Sequence, residues 1–215
     1  MNHNTQIAAA LLMGIAGAAQ ADVIFDTGTP EPGFIGYYGF DVYVEQSVAV
    51  AFTPDQDYAL EQVSVWMMSN DFSNAGAPYT LSVRTDANGG MTNPGDTILE
   101  SWDVQTSAIG WNPVLETVDS ILNPVLSAGT TYWIVAESDS PAFVDAVWVA
   151  SQQDTPVWHS IQNSLNPNGE WIPGFTQGAP GLIVNGSVVP APSAFALIGL
   201  GGLVSTRRRR HRSAT

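Results

Sequence analysis

The chain of 215 residues contains no cysteine and no lysine, and each absence excludes a class of chemistry. Without cysteine there is no disulfide, no thiolate metal site and no thiol nucleophile, so stability must come from a hydrophobic core. Without lysine no Schiff base can form. Positive charge is nearly as scarce, since Arg84 is the only arginine or lysine between residues 22 and 187. Carboxylates, hydroxyls and a single histidine are the catalytic groups that this region retains.

Negative charge dominates the central region of the chain. All 20 acidic residues lie between Asp22 and Glu170, whereas five of the six arginines lie between residues 207 and 212. Residues 22–187 therefore carry 20 carboxylates against one arginine, a formal charge of −19. Such a surface repels nucleic acid and anionic membranes, so we expect neither to be a partner of this region.

The N-terminus has the pattern of a secretory signal peptide. Small and apolar residues run from Ile7 to Ala19, and Ala19-Gln20-Ala21 has the A-x-A form of a cleavage site. The positive charge before this run is limited to His3 and the free amine. We predict that residues 1–21 are a helical signal peptide, that signal peptidase cleaves after Ala21, and that the chain is exported. The alternative is a buried N-terminal helix.

The C-terminus combines a proline-containing segment, an apolar helix and an arginine cluster. These are Val189-Pro190-Ala191-Pro192-Ser193, then residues 194–206, then Arg207, Arg208, Arg209, Arg210 and Arg212. An arginine cluster stays on the cytoplasmic side and so orients the preceding chain outward. The order closely resembles the PEP-CTERM sorting signal of Gram-negative bacteria, Val-Pro-Glu-Pro followed by a helix and an Arg-rich end, with Ala191 in place of the glutamate. The resemblance implies cleavage by an exosortase near Pro192.

The length of the apolar segment indicates how long it stays in the membrane. Its uncharged core, residues 194–204, spans about 16 Å as a helix, against a hydrocarbon layer about 30 Å thick. Gly199, Gly201 and Gly202 weaken this helix further. We therefore expect a transient contact with the inner membrane during sorting, followed by release to the cell surface or extracellular matrix. The alternative is a single-span tail anchor.

Between the two ends, residues 22–187 are predicted to form one all-β domain. Short segments rich in β-branched and aromatic residues alternate in polarity and are bounded by Pro, Gly, Asn or Asp, whereas no window there has helical periodicity. The predicted strands are Ser47–Thr53, Gln62–Met68, Tyr79–Arg84, Thr97–Val104, Val114–Val118, Thr130–Ala136, Ala146–Ser151, Pro156–Gln162 and Gly181–Ser187. This spacing is typical of an antiparallel β-sandwich or jelly roll.

A second resemblance covers about half of the chain, from Ala51 to Ser151. Its motifs are Phe52-Thr53, Leu60-Glu-Gln-Val63-Ser-Val65, Leu81-Ser-Val83-Arg84-Thr85-Asp86, Asn93-Pro94-Gly95 and Pro124-Val-Leu126-Ser-Ala-Gly129-Thr-Thr-Tyr132-Trp133. They resemble the extracellular choice-of-anchor β-sandwich domains, the R type in particular. The resemblance implies a surface module, and it transfers no catalytic residue.

Candidate catalytic and metal-binding residues are few. His159 is the only histidine between the two terminal segments, and no G-x-S-x-G sequence accompanies it. Asp55-Gln-Asp57 and Asp86-Ala-Asn88 have the D-x-[DN] spacing of calcium ligands, but an EF-hand requires a glutamate where Trp66 and Thr97 stand. The calcium candidates are therefore Asp55, Asp57, Asp86 and Asn88, each with an ordinary Asx-turn as the alternative. We expect no catalytic residue, no resident metal and no cofactor.

Seven tryptophans provide the remaining indication of function. Exposed aromatic faces can stack on sugar rings, and Trp171 and Trp66 are the candidates, with Trp171 expected to be the more exposed because it lies in a turn-rich stretch. The alternative is that these rings are buried between the sheet and its loops. We therefore predict a non-enzymatic surface or matrix protein, associated with exopolysaccharide. The competing hypothesis is a carboxylate-dependent glycan hydrolase or carbohydrate-binding module.

Overall fold

A computed structural model describes residues 21–33, 36–89, 93–151, 159–163, 170–173 and 178–190. Within these ranges the chain forms 13 β-strands and no helix, so the predicted all-β class is confirmed. The strands are β1 (Asp22–Asp26), β2 (Gly39–Val42), β3 (Gln46–Phe52), β4 (Tyr58–Ser69), β5 (Pro78–Asp86), β6 (Pro94–Gln105), β7 (Val114–Asp119), β8 (Val125–Leu126), β9 (Tyr132–Glu137), β10 (Ala146–Val149), β11 (His159–Asn163), β12 (Trp171–Pro173) and β13 (Leu182–Val188).

Most of the predicted strands are present, and several are longer than predicted. Strand β4 has 12 residues, for example, where the alternation predicted only Gln62–Met68. Strands β1, β2, β8 and β12 were not predicted, because each has five residues or fewer and too little alternation to stand out. The predicted signal helix and sorting helix fall within residues 1–20 and 191–215, outside the described residues.

The strands pair into two antiparallel sheets. The first sheet has the order β1-β13-β4-β10-β2, and β7 and β8 pair with the other edge of β4. The second sheet has the order β12-β11-β3-β9-β5-β6. The two ends of the domain meet in the first sheet, since Asp22 in β1 lies opposite Gly186 in β13.

The two sheets share one hydrophobic core. Side chains of β4, β10 and β13 in the first sheet pack with those of β3, β5 and β9 in the second. The alternation predicted for β4 is confirmed, since Val63, Val65 and Met67 all lie in this core. The opposite face of the first sheet is also partly covered, because Met68, Val147 and Val149 form a separate buried cluster there.

Strands β2 and β4 finish, and β10 begins, at the same end of the first sheet. Val42 in β2, Ala146 in β10 and Ser69 in β4 lie opposite one another across the strands. The next residues along these strands, Asp145 and Asn70, therefore lie side by side where β10 begins and β4 ends. Asp41, two residues before Tyr43, faces the same side of the sheet as Val147, its partner in β10. Polar and aromatic side chains lie close together at this end of the sheet.

Candidate functional site

Neither of the two tryptophans expected to stack on a sugar ring stands free in solvent. Trp171 is partly buried against a cluster on the outer face of the second sheet, formed by Ala49, Ala51, Trp133 and Val135. The physical reason is that the small side chains of Ala49 and Ala51 leave room beside Trp133 for a second indole ring to cover the sheet. Trp66 is also partly buried, packs close to Gly181, and has a buried Nε1–H with no hydrogen-bond partner.

Among the tryptophans whose burial the structure describes, Trp111 is the most exposed, at 52 %. It lies in the loop between β6 and β7, where no alternating pattern marked it. Trp133 and Trp148, by contrast, are fully buried. The sequence signal that could have found Trp111 is its neighbour Gly110, a residue suited to a tight turn outside any strand.

Three of the four calcium candidates, Asp55, Asp57 and Asp86, accept hydrogen bonds from protein donors. Asp55 Oδ1 accepts a hydrogen bond from the Tyr58 hydroxyl at 3.1 Å, and Asp57 Oδ1 accepts one from the Ala128 amide at 2.8 Å. Asp86 accepts from the Trp133 indole at 2.7 Å and, as in an Asx-turn, from the Asn88 amide at 3.3 Å. Within the described ranges, no three His, Asp or Glu side chains group as they would around a metal ion. His159 lies opposite Val50 in the pairing of β11 with β3.

A cavity of about 470 Å³ lies at the end of the first sheet where β2 and β4 finish and β10 begins. We call it the aromatic pocket. Its lining residues are Asp41, Tyr43, Asn70, Phe72, Trp111, Ala142 and Phe143. Phe72 is 65 % exposed and Phe143 is 83 % exposed, so with Trp111 three large aromatic side chains stand in solvent around one cavity. Grouped exposed aromatics are uncommon on a folded surface and mark sites of interaction.

A hydrogen-bond network holds the base of the aromatic pocket. Asn70 Nδ2 donates to Asp41 Oδ1 at 3.1 Å and to the carboxylate of Asp145 at 3.2 and 3.3 Å. Asn70 Oδ1 in turn accepts from Trp111 Nε1 at 3.0 Å. One amide side chain therefore joins two carboxylates and an indole that lie on three separate segments of the chain.

The wall of the pocket is shaped by backbone geometry. The rings of Phe72 and Trp111 meet edge to face with centroids 5.6 Å apart. Gly110 has a φ of 61°, and a Cβ there would lie 2.8 Å from the Phe72 ring, so a larger residue would displace Phe72. On the opposite side Phe143 has a φ of 74°, a conformation that costs a bulky residue on the order of 1 kcal/mol.

The electrostatics of the pocket are negative and lack a protein cation. Asp145 is fully buried, and burial raises its pKa above the ordinary value, while the neighbouring charge of Asp41 also raises it. Hydrogen bonds from Asn70 and from backbone amides act in the opposite direction. The one arginine between residues 22 and 187 is engaged elsewhere, since Arg84 forms an ion pair with Glu137.

A second cavity, also of about 470 Å³, opens beside the start of β5 and the end of β6. Tyr79 lines it, and its buried hydroxyl has no hydrogen-bond partner. Burial raises the pKa of Tyr79, and the charge of Glu116 adds to that effect. The other lining residues are mainly short polar side chains and carboxylates, such as Thr80 and Asp103, which already bond each other at 3.2 Å. This cavity therefore offers less for a ligand than the aromatic pocket does.

Among the residues that the structure describes, none belongs to a helix long and apolar enough to cross a membrane. No protein-family model matches the chain, and no curated protein is similar enough to it to count as a relative.

Proposed function

We propose that this chain is an exported protein, sorted through its C-terminal tail to the cell surface or extracellular matrix, where it acts by binding rather than by catalysis. The observation that carries the proposal is the order of the last 27 residues: the Val189–Ser193 segment, the apolar run and the arginine cluster. This order resembles the PEP-CTERM signal, so the expected partners are signal peptidase and an exosortase.

The boundaries of the folded region support this proposal. Strand β1 begins at Asp22, directly after the predicted cleavage site at Ala21. Strand β13 ends at Val188, and the Val189 amide still donates to the Asp57 carbonyl at 2.8 Å. Both predicted processing sites therefore flank the sheets, where cleavage would remove no strand. Two antiparallel sheets with one shared core also support the β-sandwich expected of a surface module.

The buried position of Asp145 favours binding over glycan hydrolysis. A glycosidase uses two carboxylates, one of them a general acid with a raised pKa, and burial raises the pKa of Asp145, which shares the Asn70 amide with Asp41. A general acid must, however, contact the glycosidic oxygen, and the Asp145 side chain has no exposed surface. The pocket instead presents aromatic rings, which suit recognition.

Contact with matrix polysaccharide is the second part of the proposal. Three exposed aromatic side chains around one cavity provide surfaces on which a polymer can stack. The formal charge of −19 over residues 22–187 repels acidic polymers, so a polymer that binds is expected to be neutral or cationic. Trp171, which is partly buried, is then a weaker candidate for stacking than Trp111.

Intact-mass measurement of the protein from its native host tests the sorting proposal. We expect an acidic fragment that begins at Asp22 and ends near Pro192, recovered from the cell surface or medium. A mature species that still ends at Thr215 would contradict sorting and support the tail anchor.

Retention on a gel carrying the host polysaccharide tests the binding role, with Trp111→Ala expected to weaken retention more than Trp171→Ala.

A further inference from the structure

We propose that the aromatic pocket binds an organic ammonium group, carried either by a small quaternary amine or by an amino sugar of a polymer. The inference deepens the binding role proposed above and rests on it, because it names the chemistry that the same site recognises. Its evidence is the combination of aromatic walls, unpaired negative charge and hydrogen-bond donors that are already used within the protein.

The walls of the aromatic pocket are formed by four aromatic residues. Tyr43, Phe72, Trp111 and Phe143 come from four separate segments, and each brings a ring to the same cavity. An organic cation within about 6 Å of such rings is attracted by their negative faces, and several rings around one cation form an aromatic cage. A purely apolar ligand would be held by the same rings but would gain nothing from the carboxylates beside them.

The charge of the pocket is negative. Asp41 lines the pocket and Asp145 lies buried behind it, and both carboxylates accept hydrogen bonds from the single amide of Asn70. Asn70 is neutral, so it solvates these charges without cancelling them. Since Arg84 is paired with Glu137, no protein cation from residues 22–187 is at hand to do so. A bound ammonium group would provide the missing positive charge.

The hydrogen-bond donors of the pocket argue against an anionic ligand, because they are already used within the protein. The side-chain N–H groups that line the pocket belong to Asn70 and Trp111, and both groups already donate to protein oxygens. The cavity therefore presents acceptors and ring faces, with the tyrosine hydroxyl as its additional donor. A phosphate, sulfate or carboxylate would meet like charge and few donors, whereas an ammonium group requires neither.

The test is isothermal titration calorimetry on the full-length chain, in a polyoxyethylene detergent that carries neither sugar nor ammonium. Choline is compared with its uncharged isostere in which carbon replaces nitrogen, and glucosamine is compared with N-acetylglucosamine. We expect at least one cation to bind about tenfold more tightly than its neutral counterpart. The pair that shows this preference identifies the source, a small quaternary amine or an amino sugar.

Matched variants assign the binding to the pocket. Trp111→Ala should weaken cation binding about threefold to thirtyfold, and Asp41→Asn about twofold to fivefold. Asp96→Asn removes an exposed carboxylate in the second sheet, and Ile121→Ala removes an exposed apolar side chain outside the pocket, so both should bind as the parent does. Near-ultraviolet circular dichroism checks that each variant keeps its tertiary packing.

Several results would overturn the inference. Equal affinity for the charged and neutral members of both pairs would make the pocket an apolar or sugar site, and absence of binding to either cation would remove it altogether. Unchanged affinity in Trp111→Ala and Asp41→Asn would place the binding elsewhere. Polysaccharide retention without cation binding would refute this inference alone, whereas cation binding without polysaccharide retention would refute only the polysaccharide part of the proposed function.

Discussion

The two faces of strands β2, β10 and β4 are made from neighbouring residues, and they differ most at the end of the sheet where β2 and β4 finish and β10 begins. On the inner face, Val42, Ala146 and Trp148 are fully buried in the core shared by the two sheets. On the outer face, Asp41 and Asn70 meet exposed aromatic rings around an open cavity. Because side chains alternate along a strand, one backbone can support a packed core and a binding surface together. Substitutions on the inner face should therefore change mainly the free energy of unfolding, and substitutions around the pocket should change mainly cation binding.

The largest effect is expected on the inner face, from Trp148→Ala. This indole is fully buried, and its Nε1 donates to the Gly181 carbonyl at 2.8 Å. Removing it leaves a cavity and takes away one of the two hydrogen bonds that the Gly181 carbonyl accepts, the other coming from the Trp66 amide at 3.0 Å, so the free energy of unfolding should fall by about 3–5 kcal/mol. Urea unfolding followed by circular dichroism measures this, with Trp148→Phe as a control that should lose less. A change below about 1 kcal/mol would mean that the inner face is not a packed core.

A smaller effect, dependent on pH, is expected from Asp145→Asn. Burial raises the pKa of Asp145 in the folded state, so ionising this carboxyl costs more free energy there than in the unfolded chain. That cost is absent below the ordinary pKa of 3.8, grows as the pH rises towards the folded pKa, and is fully present above it. The stability of Asp145→Asn relative to the parent should therefore increase across this window and then level off.

Urea unfolding at a series of pH values checks the expectation for Asp145→Asn. Asp71→Asn is the matched control of opposite sign, because hydrogen bonds from the Ser73 and Asn74 amides lower the pKa of Asp71. The stabilisation from Asp71 is present above the unfolded pKa and is lost as the pH falls through the folded one. A pH-independent difference for Asp145→Asn would contradict its burial in the ionised form.

The smallest effect is expected at the rim of the pocket, from Phe143→Gly. Glycine adopts the positive φ of this position without strain, and the lost phenyl ring is 83 % exposed, so stability should rise by about 1 kcal/mol or less. Cation binding should nevertheless weaken, since one wall of the cage is gone. Thermal unfolding and calorimetry on the same sample measure the two quantities, and Phe143→Ala, which keeps the strain, is the control. A loss of stability in Phe143→Gly would show that the ring packs on the rim instead of standing in solvent.

The difference between the two faces also explains how far the sequence could predict this molecule. Regular alternation in Gln62–Met68 predicted both the strand and the side that enters the core, because burial on one face imposes a period of two. The aromatic pocket had no such signal. Asp41, Asn70, Trp111 and Phe143 are far apart in the chain, the first in the short strand β2 and the other three in bends or turns. Trp171 was expected to be exposed because it lies in a turn-rich stretch. Local composition does not show which surface such a stretch will cover.

The sequence by itself determined the all-β class, the antiparallel strands, the excess of negative charge and the scarcity of cations, since composition and local alternation suffice for these. It also contains the predicted sorting segments at the two ends. Only the tertiary structure decided that Asp22 pairs beside Gly186, that Trp171 covers a sheet while Trp111 reaches solvent, and that Asn70 joins Asp41 to Asp145. The reason is physical: strand pairing between distant segments sets which turns meet at one edge, and no local pattern contains that information.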